Sequence, residues 1–338
     1  MGDVALTTPV LIGMQAQYPD IEVLVLTRKS FFPLFTTLKG VNLFSPELKN
    51  RHKGFVGLIR LYIDISRQYK IDQVIDLHDV IRSKILRLIF RLSGIPVSVI
   101  DKGRREKRML ITGRKKIQLK HSVERYCDVF AKAGFPVTPE KNICIAQSSV
   151  GVIKALNIPD AKGEFIIGVA PFAKHKLKNW PEENMIQLLS MIAQNREVRF
   201  FLFGGKEDTE RMASFHTRVP GSVNLIGKLT LEEELALMSR LDMMIAMDSS
   251  NMHMAALSGT KVISIWGGTD PLTGFGAWNQ PVNYSISVPV DELNCRPCTT
   301  YGKGSCRRGD FACMIWLTPE MVFNKIESLV LSGYTVQE

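Results

Sequence analysis

Short apolar, β-rich runs alternate with helical patterns along this chain, and that alternation constrains its fold most. It predicts βαβ units built around parallel sheet, an α/β class. In the second half the expected strands are Phe165–Ala170, Val198–Phe203, Met243–Met247 and Lys261–Trp266, with helices beginning near Pro181, Lys206, Leu231 and Asn251. The helix near Leu231 opens with a capping box, Thr230-x-x-Glu233, and the one near Pro181 carries Glu182 and Glu183 in its first turn. The first half offers strands at Glu22–Leu26, Gln73–Leu77 and Val97–Ile100, and helices over Asp3–Gln17 and Val80–Leu92. Asn157–Glu164 carries the turn residues of a linker, so a boundary is expected near residue 160. An amphipathic helix follows from Thr318. Two open sheets facing one another across a cleft would hold ligands at the carboxyl ends of their strands.

The 338 residues suit two domains at about 150 residues each. The longest uncharged stretch, Pro271–Val290, contains three prolines, which excludes it as a membrane span. The opening Met1-Gly2-Asp3-Val4 has no basic, then apolar, leader, so a reducing cytoplasm is the expected compartment. A net charge of +10 predicts anionic partners: phosphates, a membrane surface or nucleic acid.

Three strand ends carry candidate chemistry. Met243–Met247 runs into Asp248, Ser249 and Ser250 where a helix begins, with His253 in its first turn. Unpaired amides and the positive helix end suit an anion there, and serine hydroxyls add donors. The next strand ends in Gly267-Gly268-Thr269-Asp270. After Phe165–Ala170, the segment Pro171–Trp180 carries Lys174, His175, Lys176 and Lys178 ahead of a helix, a setting for a diphosphate. After Val198–Phe203 come Gly204, Gly205, Lys206 and Glu207, where a carboxylate can accept from ribose hydroxyls. Bland readings stand beside these: serines that only cap a helix, lysines in a solvated loop, a common Gly-Gly turn.

Lys102–Lys120 holds nine Lys/Arg and one acid, Glu106, which points to an anionic acceptor or a membrane surface. Cys295, Cys298, Cys306 and Cys313 include a Cys-x-x-Cys pair that can hold a structural Zn²⁺, whereas Cys127 and Cys144 read as small core residues. No Asp-x-Asp pair, Walker loop or Gly-x-Gly-x-x-Gly fingerprint occurs in the chain. A metal-diphosphate clamp, an ATPase and a dehydrogenase all lose ground.

Together, GDVALTTPVL at the start, DLHDVIRS (Asp76–Ser83), KNWPEE (Lys178–Glu183), FGG (Phe203–Gly205) and DSSNMHMAAL followed by IWGGTDP resemble glycosyltransferase family 9, the ADP-heptose:lipopolysaccharide heptosyltransferases. The resemblance covers nearly the whole chain in order. It implies a GT-B fold: an acceptor-binding Rossmann-like domain over 1–160, a nucleotide-sugar-binding one over 161–317, and a C-terminal helix, 318–338, returning to the first. It further implies inverting, metal-independent transfer of heptose from an ADP-heptose donor to a lipopolysaccharide core acceptor linked to lipid A, with no cofactor required. By motif, Asp3 would be the general base. Lys178, Asp248, Ser249, Ser250 and His253 would bind the donor, the family's nucleotide-side acid falls at Lys206 or Glu207 beside Gly205, and Lys174 of the basic loop joins this donor set. Arg104, Arg105, Lys107 and Arg108 would meet the anionic glycolipid acceptor. The family's Thr-Gly is Ser249-Ser250 here, so backbone approach to the nucleotide differs.

In the family a β-strand precedes the Gly-Asp-Val element, and here Met1 stands in its place. The N-terminal sheet is therefore expected without its first strand, and a start upstream of Met1 is expected. The implied site of action is the cytoplasm, with peripheral contact at the inner membrane and no nucleic-acid partner. Competing readings are a GT-B enzyme acting on a UDP-sugar, as transferase or epimerase, and a zinc-stabilised nucleic-acid-binding protein. The missing aromatic interleaving in the basic stretch disfavours the last.

Overall fold

A computed structural model describes residues 1–147, 151 and 164–331. Most of the expected linker, and the boundary near 160, lie outside these residues. By packing the chain divides into two units. The smaller comprises Leu6–Arg104 and Lys120–Lys141; the larger comprises Met1–Ala5, Arg105–Leu119 and the chain from Asn142 onward.

In the smaller unit β1 (Val23–Leu26) pairs in parallel with β2 (Val41–Phe44), and β3 (Val74–Asp76) pairs in parallel with β4 (Val97–Val99). These are two separate two-stranded sheets, with no ladder joining β1 to β3. A single N-terminal sheet is thus absent among the described residues, and the strands stay mostly half-buried. What holds the unit is an apolar cluster of Leu58, Leu61, Ile65 and Phe90, on which Leu24, Phe44, Val74 and Val97 pack. Leu58, Leu61 and Ile65 come from the helix Gly54–Gln68, whose internal Gly57 the helical pattern alone does not favour. Glycine is needed there because a Cβ would stand 2.3 Å from the backbone carbon of His52. His52 is buried; its Nδ1 accepts from Glu47 N (2.9 Å) and its Nε2 bonds Asp64 (3.0 Å), tying this loop to the helix.

The larger unit is built on a six-stranded, all-parallel sheet. It contains β5 (Phe165–Ala170), β6 (Val198–Leu202), β7 (Val223–Asn224), β8 (Met243–Met247), β9 (Val262–Ile265) and β10 (Ser285–Ile286), in the order β10-β9-β8-β5-β6-β7. β5, β8 and β9 are buried throughout, as central strands covered on both faces must be. Helices Glu182–Asn195, Thr209–Thr217, Leu231–Met238 and Ser250–Leu257 connect them. The capping box forms as read: Glu233 N donates to Thr230 Oγ1 (3.3 Å), and Thr230 N donates to the Glu233 carboxylate (2.7 Å). Helix Pro319–Ile326, expected to return to the first half, buries Val322, Phe323 and Ile326 in the core of the larger unit, packed on Glu182–Asn195. Residues 332–338 of that expected segment lie outside the described ones.

Some expectations shift for local reasons. The helix over Asp3–Gln17 is two helices, Gly2–Ala5 and Thr8–Gln17, because Pro9 has no N–H for the carbonyl four residues back and sits instead in a first turn. Cys144 is exposed, not core: in its extended segment Ile143 and Ile145 turn inward, so Cys144 faces out. Among the described residues no helix is long and apolar enough to cross a membrane.

Burial on Leu231–Met238 pushes the Glu234 carboxyl up to about 7. An acid whose folded pKa exceeds its unfolded value binds protons more readily when folded, so stability falls as pH rises from about 4.5 through 7. Glu234→Gln should raise the denaturation midpoint at pH 8 and leave it nearly unchanged at pH 4, as measured by urea titration at both values.

Candidate active site

Adjacent parallel strands deliver their following loops to one sheet edge, and β9, β8 and β5 are neighbours. Asp248 ends β8, Gly267–Asp270 follows β9, and Pro171–Trp180 follows β5. These three segments meet. Lys178 Nζ lies 2.8 Å from Asp248 Oδ2, and Thr269 Oγ1 donates to the same oxygen at 2.8 Å. Gly268 N donates to Leu177 O (2.8 Å), joining the β5 and β9 loops through their backbones.

Local chemistry fixes each partner. Asn179 staples the lysine loop by accepting from Ala173 N (2.6 Å) and donating to Ala173 O (2.8 Å). Trp180, 1% exposed, anchors the loop's end by donating from Nε1 to Leu317 O (2.9 Å). Gly302, at φ +78°, lies against the Lys178 methylenes, where a Cβ would approach Cγ to 2.7 Å. Behind the β9 loop sits Arg296, its side chain fully buried. Its guanidinium donates to Gly267 O (2.7 Å), Thr269 O (3.1 Å) and Val288 O, and pairs with Asp270 (3.1 Å). Burial draws the Arg296 pKa down and pushes that of Asp270 up, each opposed by the partner's charge.

Ser249 occupies the N-cap of helix Ser250–Leu257 in an extended conformation, yet its side chain makes no capping bond. Its Oγ is buried without a hydrogen-bond partner. The first-turn amides of this helix have no intrahelical acceptors, so an anion donor set stands beside Lys178. His253, in the same turn, is buried, and the Gly2 backbone lies on its ring, since a Cβ there would reach Cδ2 at 2.7 Å. Asp3, exposed on helix Gly2–Ala5, is thereby carried to the helix that holds His253. Burial and the charges of Lys178, Lys303 and Lys174 hold the His175 pKa below the usual imidazole range.

The other sequence candidates are less gathered. Lys174 is exposed. Gly205 and Glu207 follow β6, on the flank of β5 away from β8, and the Glu207 carboxylate folds back over Gly205, where a Cβ would come within 2.4 Å. Next to it, burial raises the Asp208 pKa. Of the four expected acceptor residues, Arg104 pairs with Asp79 (2.8 Å), and Lys107 is buried with its ammonium 4.2 Å from the Phe275 ring centroid. Arg105 and Arg108, with Met109, Thr112 and Arg114, line a cavity of about 360 Å³. All six cysteines are free thiols. Among the described residues no three His, Cys, Asp or Glu side chains are placed to hold a metal ion, so the expected Cys295, Cys298, Cys306 and Cys313 zinc set is not assembled. Burial pushes the Cys313 thiol up to about 11. Arg296 was hidden from sequence reading by that same Cys-x-x-Cys pair, which encloses it.

The glycosyltransferase family 9 (heptosyltransferase) model matches residues 65–304. The chain belongs to this family. This family 9 glycosyltransferase is 24% identical over 315 residues to lipopolysaccharide heptosyltransferase 1 of Escherichia coli O18:K1:H7, covering 87% of this chain and 90% of that one. Its fold is the GT-B fold of solved relatives. It superposes on a glycosyl transferase family 9 structure from Veillonella parvula with a TM-score of 0.75 at 19% identity, covering 98% and 94% of the two chains. For E. coli ADP-heptose lps heptosyltransferase II the TM-score is 0.68 at 18% identity, covering 98% and 96%.

Gly113 shares the left-handed backbone of Gly302, at φ +72°, but a Cβ there meets nothing within 4 Å. Both Gly→Ala variants incur the backbone penalty of about 1 kcal/mol. Gly302→Ala should cost measurably more in urea denaturation, because it alone displaces Lys178.

Proposed function

We propose that this family 9 glycosyltransferase moves heptose from an ADP-heptose donor to a lipid A-linked lipopolysaccharide core acceptor, with inversion and without a catalytic divalent ion. The observation that carries this reading is the meeting of Lys178 with Asp248 and Thr269 beside the amides and the unpartnered Ser249 hydroxyl at the start of helix Ser250–Leu257. That set offers a positive charge, the Ser249 hydroxyl and helix amides to one diphosphate, the Thr269 hydrogen being committed to Asp248. A sequence without any Asp-x-Asp pair leaves the leaving-group charge to them.

In the proposed single displacement the acceptor hydroxyl oxygen attacks the sugar C1 opposite the diphosphate. The C1–O bond breaks, and ADP leaves with the electron pair. Asp3 takes the hydroxyl proton as general base. Lys178 and the amides of Ser249–Asn251 stabilise the charge that grows on the diphosphate, an electrostatic contribution realised most fully in the transition state. His253, packed on Gly2, couples the base-bearing helix to the donor helix. Lys174, Gly205 and Glu207 border the same sheet edge as further donor contacts, Glu207 suiting ribose hydroxyls. Arg105 and Arg108, on their cavity wall with Arg114, suit an anionic acceptor. On this reading the acceptor's lipid holds the reaction at a membrane surface, which we take to be the cytoplasmic face of the inner membrane.

Asp3→Ala should lower transfer at least about a hundredfold while the thermal shift produced by ADP persists, since the base does not touch the nucleotide. Unchanged transfer would remove Asp3 from the mechanism. Lys178→Met should weaken ADP binding at least about tenfold in calorimetry, the loss of one charge-assisted contact. UDP stabilising the protein more than ADP would favour the UDP-sugar alternative.

A further inference from the structure

Helix Ile81–Leu92 in the smaller unit presents a face that its own fold does not use. Phe90 on its inner side is 3% exposed and packs in the apolar cluster with Leu58, Leu61 and Ile65. On its outer side Ile81, Leu88 and Leu92 are 78%, 54% and 80% exposed. At 100° per residue these three positions fall within about 40° of one another, a continuous apolar stripe. The sequence IRSKILRLIFRL carries Arg82, Lys84, Arg87 and Arg91 and no acid. Arg87 turns inward to Asp76 and Asp79 (3.1 Å each), whereas Arg82 and Arg91 are exposed and Lys84 is half-exposed.

We infer that this stripe is the surface by which the enzyme lies on an anionic lipid bilayer. An amphipathic helix with leucine-class residues flanked by arginine and lysine buries the former at the headgroup–acyl boundary and sets the latter among the anionic headgroups. A second copy of the chain fits less well. A helix of 12 residues with three exposed aliphatic side chains offers far less than the roughly 800 Å² per partner that a stable dimer buries. A twofold contact would also bring acid-free basic rows together. The inference deepens the reading of a lipid-held acceptor and rests on it only for the biological role of the membrane.

The test is co-sedimentation of the full chain with vesicles of phosphatidylglycerol and phosphatidylethanolamine, against vesicles of phosphatidylcholine alone. Wild type should bind the anionic vesicles and release them as salt rises. Leu88→Ser/Leu92→Ser and Arg82→Gln/Arg91→Gln should each reduce partitioning at least about tenfold. Both should nearly keep the wild-type thermal midpoint, because the altered side chains are exposed and lose only the long Arg91 Nη2–Val97 O contact (3.5 Å). Equal binding to both vesicle types, no binding, or full binding by both variants would overturn the inference. So would wild-type self-association that Leu88→Ser/Leu92→Ser abolishes in the absence of lipid. Transfer to a lipid-free acceptor should be unaffected in these variants; its absence in wild type as well, with vesicle binding intact, would count against the proposed reaction and not against this surface.

Discussion

One carboxylate oxygen holds the candidate site together. Asp248 Oδ2 takes the Lys178 ammonium and the Thr269 hydroxyl at once, so three loops that are distant in sequence share a single acceptor. The two side chains of the ion pair are 16% and 7% exposed, which keeps water from screening the contact and raises the cost of parting it. Lys178 is therefore fixed in place before any ligand arrives. A group positioned in advance needs no reorganisation when negative charge develops beside it.

The parallel sheet makes this possible. Parallel strands send successive loops to one edge, and the neighbours β9, β8 and β5 bring Thr269, Asp248 and Lys178 within bonding reach. Arg296 supports the arrangement from behind by donating from separate guanidinium nitrogens, Nε to Gly267 O and Nη2 to Thr269 O, in the fixed fork that a single ammonium lacks. The smaller unit follows another logic. Its four strands form two separate pairs, and its coherence comes from helix packing around Leu58, Leu61, Ile65 and Phe90.

Much of this was legible in the residues. The apolar runs of the second half match β5, β6, β8 and β9 within a residue or so, because buried parallel strands need unbroken apolar sequence. Asp248 and the Ser249 turn were readable from position, since they follow a strand, whereas position offered Lys174, His175, Lys176 and Lys178 together and only the family motif singled out Lys178. Short edge strands such as Val223–Asn224 and Ser285–Ile286 carry too few residues to show a period. Helix Gly54–Gln68 was obscured by Gly54, which takes a left-handed backbone at its start, and by Gly57, whose reason is the close approach of the His52 backbone. Nothing in a basic run tells that Lys107 is buried over Phe275 while Arg105 and Arg108 remain at the surface. The cysteine spacing suggested a metal, yet among the described residues no three ligand side chains are placed to hold one, and between the paired cysteines stands the buried Arg296.

The most direct measurement is a crystal structure of the protein with ADP bound. The expected result has the β-phosphate on the amides that open helix Ser250–Leu257, within hydrogen-bond distance of the Ser249 hydroxyl and the Lys178 ammonium. A nucleotide bound with its phosphates away from both would contradict the proposed site.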